Sequence, residues 1–385
     1  SFFMLLYHQK MNQLHLNEFN SQKFRSWSLV SMSLLLFVHG HNLNQPYLQP
    51  WTMPGEPMTA SAFTEYWLAN GIFRFRIPML FIISGYLFAI SDHKPYKQRA
   101  GKRVRTLLYP YLIWSAVGLL LTFLLELFPY SRNVVAETHM MQLDETRNLL
   151  HQYQWYEVLA RWIFFPVSYQ LWFIRVLLIY NLAYPLLRRC VIHRIAKWIF
   201  FSIAVLLWLA TAGFVLIEGE GLLFFSLGIW MQKTNFNIDT PNKWLQPKIW
   251  FMVFMLLSLC KTWLAFQVPF SGIEPVLLLL HKLVVLSGLI CAWYGCNALV
   301  KYFMNKKWFA WLTAFSFMIY VLHAPLVVYA TKAIFMQFSN YNYYRIITFI
   351  VLPLCLIAGA VIFGALLRRS LPKLYSFVTG GRGLG

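Results

Sequence analysis

Charged residues are scarce in this sequence, and acidic residues are the scarcest. Only 12% of the 385 residues are charged and 13 are Asp or Glu, whereas 59% are hydrophobic and 18% aromatic. A soluble domain has roughly 25% charged and about 45–50% apolar residues. The composition therefore excludes an ordinary soluble domain and indicates a chain with several membrane-spanning segments.

Several motifs are also missing. The five cysteines form no CxxC pair, which predicts packed thiols rather than a metal or redox site. No GxxxxGK[ST] loop is present, so nucleotide hydrolysis has no support. The chain shows no cleavable signal sequence, because the apolar stretch at 2–7 is too short for one. The absence of an internal repeat argues against an inverted-repeat transporter.

Ten apolar segments are candidates for crossing a membrane, which requires about 20 apolar residues. They are residues 27–43, 71–90, 106–128, 169–187, 198–217, 221–232, 249–266, 283–300, 309–331 and 346–367. The sixth is the shortest. The sequence thus predicts an all-α fold, a polytopic membrane helix bundle of about ten transmembrane helices.

Basic residues are concentrated in every second connection between these segments. With the N-terminus in the cytoplasm, most of the 33 Lys and Arg residues fall on the inner side, where Glu18, Asp92 and Asp239 are the only acidic residues. This asymmetry follows the positive-inside rule. It predicts that both termini are cytoplasmic, and it accounts for the net charge of +20 without a nucleic-acid partner.

The same pattern predicts the domain organisation and the location. We expect a cytoplasmic segment 1–26, a single membrane domain 27–367 and a cytoplasmic tail 368–385. A long extracytoplasmic loop, 129–168, carries aromatic residues that suit either an interfacial belt or a sugar-stacking surface. We expect a multi-pass protein of the bilayer, in the cytoplasmic (inner) membrane of a bacterium.

Two histidines lie inside otherwise apolar segments, His39 in the first and His323 in the ninth. Ionisable groups at membrane depth are rare and usually functional. At 1.5 Å per helical residue, His39 lies about 18 Å and His323 about 21 Å from the cytoplasmic ends of their helices. We therefore expect the two to share one layer. The plainer alternatives are an interfacial His39 and a His323 that satisfies backbone groups freed by Pro325.

Three arginines and a serine lie on the second and fourth segments, which are predicted to run from the outer to the inner side of the membrane. Arg74 and Arg76 are placed just below the outer surface, Arg175 about 9 Å below it, and Ser84 near the histidine layer. Intramembrane cations face the bundle interior or a watered cavity. The sequence thus predicts a polar chamber open outward. Arg74 at the interface and Ser84 as a helix contact are the alternatives.

A second basic cluster, KQRAGKRVRTLLYPYLIWS at 97–115, faces the cytoplasm. It suits a positive-inside anchor, and its Lys and Arg side chains equally suit phosphate binding through charge-assisted hydrogen bonds. Both interpretations are open at this point.

Five segments together resemble the acyltransferase-3 family of integral membrane acyltransferases. They are FRIPMLFIISGYLF (75–88), KRVRTLLYPYLIWS (102–115), QLWFIRVLLIY (170–180), LLFFSLGIWM (222–231) and SFMIYVLHAPL (316–326). Arg76, eight residues before Ser84, also looks like the branch of the family that succinylates periplasmic glucans. The resemblance covers positions 25–367.

The resemblance implies about ten helices and an O-acyltransferase. It implies that an acyl group passes from a cytoplasmic acyl-CoA-type donor to an acceptor hydroxyl outside, often on a glycan. It also implies a functional histidine in the first span, here His39, with an arginine eleven positions earlier. This sequence has Ser28 at that position. Arg25 lies fourteen positions before His39, on nearly the same helix face.

The resulting hypothesis gives each residue a role. His39 is the general base, since a hydroxyl is a poor nucleophile, and His323 orients or stabilises the acceptor, or the two roles are exchanged. The expected donor-binding residues are Arg25, Lys102, Arg103 and Arg105. The residues expected to bind the acceptor or the acyl group are Arg76, Arg175, Ser84 and Trp172. We expect no bound cofactor and no metal; acetyl-CoA or succinyl-CoA is the co-substrate, and the acceptor is a glycan or glycolipid.

Two other classes remain open at the level of the sequence. A transporter or flippase of a polysaccharide or lipid precursor would move its substrate without consuming an acyl donor. A structural membrane subunit would tolerate alanine at both His39 and His323.

Overall fold

The computed structural model describes residues 16–41, 48–213, 217–267 and 272–383. Most of the predicted cytoplasmic segment 1–26 and the outer end of segment 27–43 lie outside the described residues. In the described ranges the regular structure is helical, apart from one isolated bridge between Gly213 and Glu218. The predicted all-α fold is therefore confirmed.

The helices are named α1–α19 in chain order. They are α1 Glu18–His39, α2 Ala60–Asn70, α3 Arg76–Ile90, α4 Tyr96–Arg103, α5 Tyr109–Glu126, α6 Pro129–Glu137, α7 Trp155–Ile163, α8 Trp172–Leu182, α9 Tyr184–Ile192, α10 Ala196–Leu209, α11 Gly219–Lys233, α12 Pro247–Ala265, α13 Ile273–Gly295, α14 Asn297–Phe303, α15 Lys307–Thr313, α16 Ser316–Leu322, α17 Leu326–Phe338, α18 Tyr344–Ser370 and α19 Pro372–Thr379. A π-turn, Val104–Leu108, joins α4 to α5, and a 3₁₀ turn, Tyr169–Leu171, precedes α8.

Within the described residues, five helical stretches are long and apolar enough to cross a membrane. They are Ala60–His93, Tyr96–Glu126, Pro247–Ala265, Ile273–Gly295 and Tyr344–Ser370. Two bent pairs raise the number to seven if each pair is one span. The protein is thus a multi-pass membrane protein, and the figure of ten spans stays a prediction. Segment 198–217 overlaps the 14-residue α10, and segment 221–232 lies within the 15-residue α11.

Two of the predicted segments are bent rather than continuous. Segment 169–187 is divided between α8 and α9, which meet at 67°, and segment 309–331 is divided between α15–α16 and α17, which meet at 68°. Proline explains both breaks, because its ring occupies the space of a hydrogen-bonded N–H and suits the first turn of a new helix. Pro185 begins the second helix of the first pair, and Pro325 precedes α17.

Glycine permits the closest helix pairing, between α3 and α11. A Cβ on Gly85 would overlap the backbone of Phe225, and a Cβ on Gly228 would overlap the backbone of Ile82. Small residues let helix backbones approach in this way inside a membrane. The contact fixes α3, which carries Arg76 and Ser84, against the bundle.

The loop 129–168 is folded. It contains α6 and α7 and has a small core that includes Val135, Met141 and Leu150. The Glu126 carboxylate at the end of α5 accepts hydrogen bonds from Leu150 N at 2.7 Å and His151 N at 3.0 Å. The two alternatives for its aromatics stay open: Trp155 and Tyr156 are exposed.

Two ion pairs connect residues within this loop. Arg147 contacts Asp144 at 2.7 Å and Glu157 at 2.6 Å. The Arg147 side chain lowers the pKa of Asp144, while a backbone hydrogen bond at Gln154, followed by Arg147, lowers the pKa of Glu157. Both carboxylates are therefore ionised across the neutral range.

Candidate active site

The two histidine rings lie side by side. The centroids of His39 and His323 are 5.6 Å apart and the ring planes differ by only 15°, while Tyr169 contacts His39 edge-on at 4.8 Å. His39 is the last residue of α1, and His323 follows the last residue of α16. The expectation that the two share one layer is confirmed.

A hydrogen bond fixes the tautomer of His323. Its Nδ1 lies 2.7 Å from the carbonyl oxygen of Tyr320. A carbonyl only accepts, so Nδ1 carries the proton and Nε2 of the neutral ring carries the lone pair. This Nε2 is buried and has no hydrogen-bond partner among the described residues. His323 thus presents a proton-accepting nitrogen.

Gln170 donates hydrogen bonds to backbone carbonyls at the helix break beside His323. Its amide Nε2 donates to the carbonyl of Ala324 at 3.0 Å and lies 3.3 Å from that of Val321. In return, Tyr320 Oη donates to the carbonyl of Gln170 at 2.6 Å. Carbonyls freed by a helix break inside a membrane need such partners. His323 shares this role, because its Nδ1 donates to the carbonyl of Tyr320 at the same break, so the alternative interpretation of His323 stays open.

Arg76 is the cation of this layer. Its side chain is buried, and Nη1 donates to the carbonyl of Phe73 at 2.7 Å while Nε has no hydrogen-bond partner among the described residues. The guanidinium interacts electrostatically with both His39 and His323. Arg74 lies two residues before Arg76, and its Nη2 donates to the carbonyl of Leu48 at 2.6 Å.

Below the histidines, two adjoining cavities extend toward the basic cluster; we call them the donor chamber. The inner cavity has a volume of about 210 Å³ and the outer one about 430 Å³. Both are lined by Ser28, Ile83, Leu87, Ser316 and Arg382. Tyr320, whose carbonyl binds His323, lines the inner cavity. The chamber therefore reaches to within one helical turn of the histidine pair.

The predicted donor residues divide into two groups. Arg103 lines the inner cavity and Arg25 the outer one. Lys102 and Arg105 are exposed and line neither cavity. The Arg103 guanidinium lies 5.3 Å from the ring centre of Phe88. Ser28, where the resemblance leads one to expect an arginine, lines both cavities and donates to the carbonyl of Phe24 at 2.8 Å.

Ser84 and Trp172 have different surroundings. Ser84 lines the inner cavity, as Arg103 and Tyr320 do, and lies about 12 Å along α3 from Arg76 at the helical rise of 1.5 Å per residue. Its expected place near the histidine layer stays a prediction. Trp172 packs against Phe81 with ring centres 6.2 Å apart. Their roles in binding stay predictions.

Arg175 makes its hydrogen bond away from the histidine layer. Its Nη1 donates to the carbonyl of Phe164, just after the C-terminus of α7, and the guanidinium also interacts with Tyr111. Cations stabilise helix C-termini because the last carbonyls are unpaired there. The structure thus brings together His39, His323 and Arg76, while Arg175 ties the folded loop to α8.

Sequence inspection missed Gln170, Tyr169 and Arg382. Gln170 was recognisable as an amide at the start of an apolar segment, but its partner on α16 was not. Tyr169 looks like an interfacial aromatic, and Arg382 like an ordinary tail residue. Among the described residues, no group of three His, Cys, Asp or Glu side chains is arranged to hold a metal ion.

This geometry defines a helical membrane protein in which two stacked histidines lie beside Tyr320, a residue that lines a chamber with basic side chains. The sequence profile of the acyltransferase-3 family, an acyltransferase domain, matches residues 2–369. The chain belongs to this family and is a membrane O-acyltransferase. It is similar to the succinoglycan biosynthesis protein ExoH of Rhizobium meliloti (strain 1021), with 25% identity over 94% of this chain and 92% of that protein. No solved structure matches it.

Proposed function

We propose that the protein transfers an acyl group from a cytoplasmic acyl-CoA-type donor to a hydroxyl of an extracytoplasmic glycan or glycolipid. The observation that carries this proposal is that a chamber lined by basic side chains reaches Tyr320, whose carbonyl binds His323. Phosphates of the donor bind at Arg25 and Arg103, with Lys102 and Arg105 at the entrance. The thioester end of the donor extends toward His39 and His323.

The reaction is written as a direct transfer. His39 takes the proton of the acceptor hydroxyl as its oxygen attacks the thioester carbonyl. An ester C–O bond forms, the C–S bond breaks, and the thiolate leaves and recovers a proton. His323, with its lone pair on Nε2, orients the acceptor hydroxyl. The exchanged assignment, with His323 as base, is supported by the fixed tautomer of His323.

The acyl group is acetyl or succinyl, and the buried Arg76 favours succinyl. A succinyl group carries a carboxylate, which a guanidinium binds strongly when both are shielded from water. An acetyl group offers no such partner. The relationship to a succinoglycan biosynthesis protein supports the same choice and supports a glycan as the acceptor.

The proposed topology follows the charge pattern. Ten spans with both termini in the cytoplasm place the donor chamber on the inner side and the folded loop 129–168 outside, in the inner membrane of a bacterium. Among the described residues, five full-length helices and two bent pairs give up to seven spans, and the proposal assigns the remaining spans to shorter helices.

The experiment compares acyl transfer in His39→Ala, His323→Ala and His93→Ala proteins reconstituted in lipid. His93 is exposed and serves as the matched control. We expect both buried-histidine variants to lose at least about 10²-fold in kcat, the usual contribution of a general base, with no loss for His93→Ala. Near-normal turnover of His39→Ala alone would assign the base to His323; near-normal turnover of both would exclude histidine catalysis.

Donor preference is tested on the same preparation. We expect succinyl-CoA to be used in preference to acetyl-CoA, and Arg76→Gln to reduce that preference about tenfold, the effect of one charge-assisted hydrogen bond. Use of acetyl-CoA at equal efficiency by both proteins would remove Arg76 from recognition of the acyl group.

A further inference from the structure

The C-terminal tail is docked onto the end of the bundle that carries the basic cluster 97–115. Helix α19 packs on α5, where the indole Nε1 of Trp114 donates to the carbonyl of Val378 at 2.9 Å. Tyr375 is fully buried. Gly380 and Gly383 have φ values of 63° and 75°, and a Cβ at Gly380 would crowd the backbone of Thr106. The tail therefore turns back into the bundle after α19.

This turn places Arg382 in the donor chamber. Its Nη1 donates to the carbonyl of Thr106 at 2.9 Å and to that of Thr379 at 2.8 Å. The guanidinium lies 4.5 Å from the ring centre of Phe317. Its Nε and Nη2 donate to no other described residue. Arg382 lines both cavities, so a fixed cation with unused donors faces the space between them.

Among the described residues, three cations and no carboxylate line the two cavities. The cations are Arg25, Arg103 and Arg382. Burial and then the nearby Arg103 lower the pKa of Arg382 to about 10, so it remains charged at neutral pH. Holding several cations close together in a partly buried chamber without a counter-ion costs free energy. The arrangement therefore suits an anionic ligand with more than one charge.

We propose that Arg382 is a phosphate-binding residue and that the docked tail completes the donor chamber. The ligand is the polyphosphate part of the donor, bound jointly by Arg103 on α4 and Arg382 on the tail. The inference rests on the proposed function for the identity of the donor. It adds a binding residue from a part of the chain that lies beyond the matched family domain, residues 2–369.

The test measures binding of free coenzyme A and of 3′,5′-ADP to the purified full chain in lipid nanodiscs, without any transfer reaction. The variants are Arg382→Ala, Arg382→Lys and, as the matched control, Arg369→Ala, whose side chain is exposed near the end of α18. We expect Arg382→Ala to raise Kd for coenzyme A about tenfold. Arg382→Lys keeps the charge and is expected to raise it about threefold. Arg369→Ala leaves it unchanged.

Salt separates a binding role from a structural one. Ions screen the attraction between the chamber and a phosphate, so the loss of affinity with added salt becomes shallower in Arg382→Ala than in the wild type. If Arg382 only fixes the tail, all variants show the same salt dependence. Arg382→Lys retains the tail contacts through its charge and keeps the comparison valid if Arg382→Ala is poorly folded.

The outcomes distinguish the two proposals. Wild-type binding with an unchanged Kd in Arg382→Ala overturns the role of Arg382 and leaves the proposed function intact. A wild type that binds neither coenzyme A nor 3′,5′-ADP overturns the donor assignment, and the role of Arg382 with it. Weaker and less salt-sensitive binding in Arg382→Ala supports both.

Discussion

Arg99 and Arg103 lie one helical turn apart on α4 and belong to two basic groups with opposite surroundings. Arg99 belongs to a group around Asp92, whose carboxylate is 3.1 Å from Arg99, 2.6 Å from Arg188 and 2.8 Å from Lys233. Arg103 belongs to the donor chamber, where the described lining residues include no Asp or Glu. The excess of basic residues thus divides into a part that pairs with a carboxylate and a part that is not paired with one among the described residues.

The largest effect is expected on stability when the Asp92 group is broken. In Asp92→Asn, three cations lose their shared carboxylate and repel each other, which costs about 2 kcal/mol at this partly exposed site. We expect the apparent Tm to fall by about 5 °C in thermal unfolding, with little change in the Kd for coenzyme A. Glu145→Gln is the control, because Glu145 is exposed in the loop. An equal fall in the control would contradict the assignment.

The opposite result is expected in the donor chamber. Arg103→Ala removes an unneutralised cation, so Kd for coenzyme A rises about tenfold while the apparent Tm stays within about 1 °C. Isothermal titration and thermal unfolding of one preparation measure both. The exposed Lys94→Ala is the control. A clear loss of Tm without a change in Kd would place Arg103 with the structural group.

A smaller effect is expected at the chamber entrance. Lys102 and Arg105 are exposed, so they act on the donor through solvent and are screened by salt. Alanine at either position is expected to weaken coenzyme A binding about twofold at low salt and not at about 0.5 M salt. A tenfold effect that persists at high salt would show that these side chains contact the donor directly.

The smallest effect is expected at Ser84. The hydroxyl lines the inner cavity, and in a direct transfer it is not the nucleophile. Ser84→Ala is therefore expected to change kcat by less than about threefold, equivalent to about 0.6 kcal/mol. Loss of turnover together with disappearance of a hydroxylamine-sensitive acyl adduct on the wild type would instead indicate an acyl-enzyme at Ser84.

Much of the histidine layer follows from local sequence, because depth along a helix depends only on residue count. His39 and His323 were predicted to share a layer, and their rings are stacked. The same reasoning placed Ser84 near this layer, which stays a prediction. It treated segment 169–187 as continuous, although Pro185 divides it, and it named the break at Pro325 only as an alternative account of His323.

Contacts between distant segments were beyond sequence reasoning. Gln170 shares the backbone role at this break with His323 only because the start of α8 packs beside the end of α16. The sequence predicted Arg175 as a residue of the polar chamber. Its hydrogen-bond partner is instead the carbonyl of Phe164, which follows α7 in the loop 129–168, and the sequence pattern did not predict α7. Both Gln170 and Arg175 thus take their roles from hydrogen-bond partners on other segments of the chain.

The sequence by itself determined the membrane environment, the helical class, the depth of the two histidines and the family, because these depend on composition, spacing and short motifs. Only the tertiary structure decided which cations are neutralised and which remain free. Arg99 and Arg103 are equivalent by composition and differ by one turn. What separates them is the position of Asp92 and of the docked tail, and electrostatic energy depends on distances that folding alone sets.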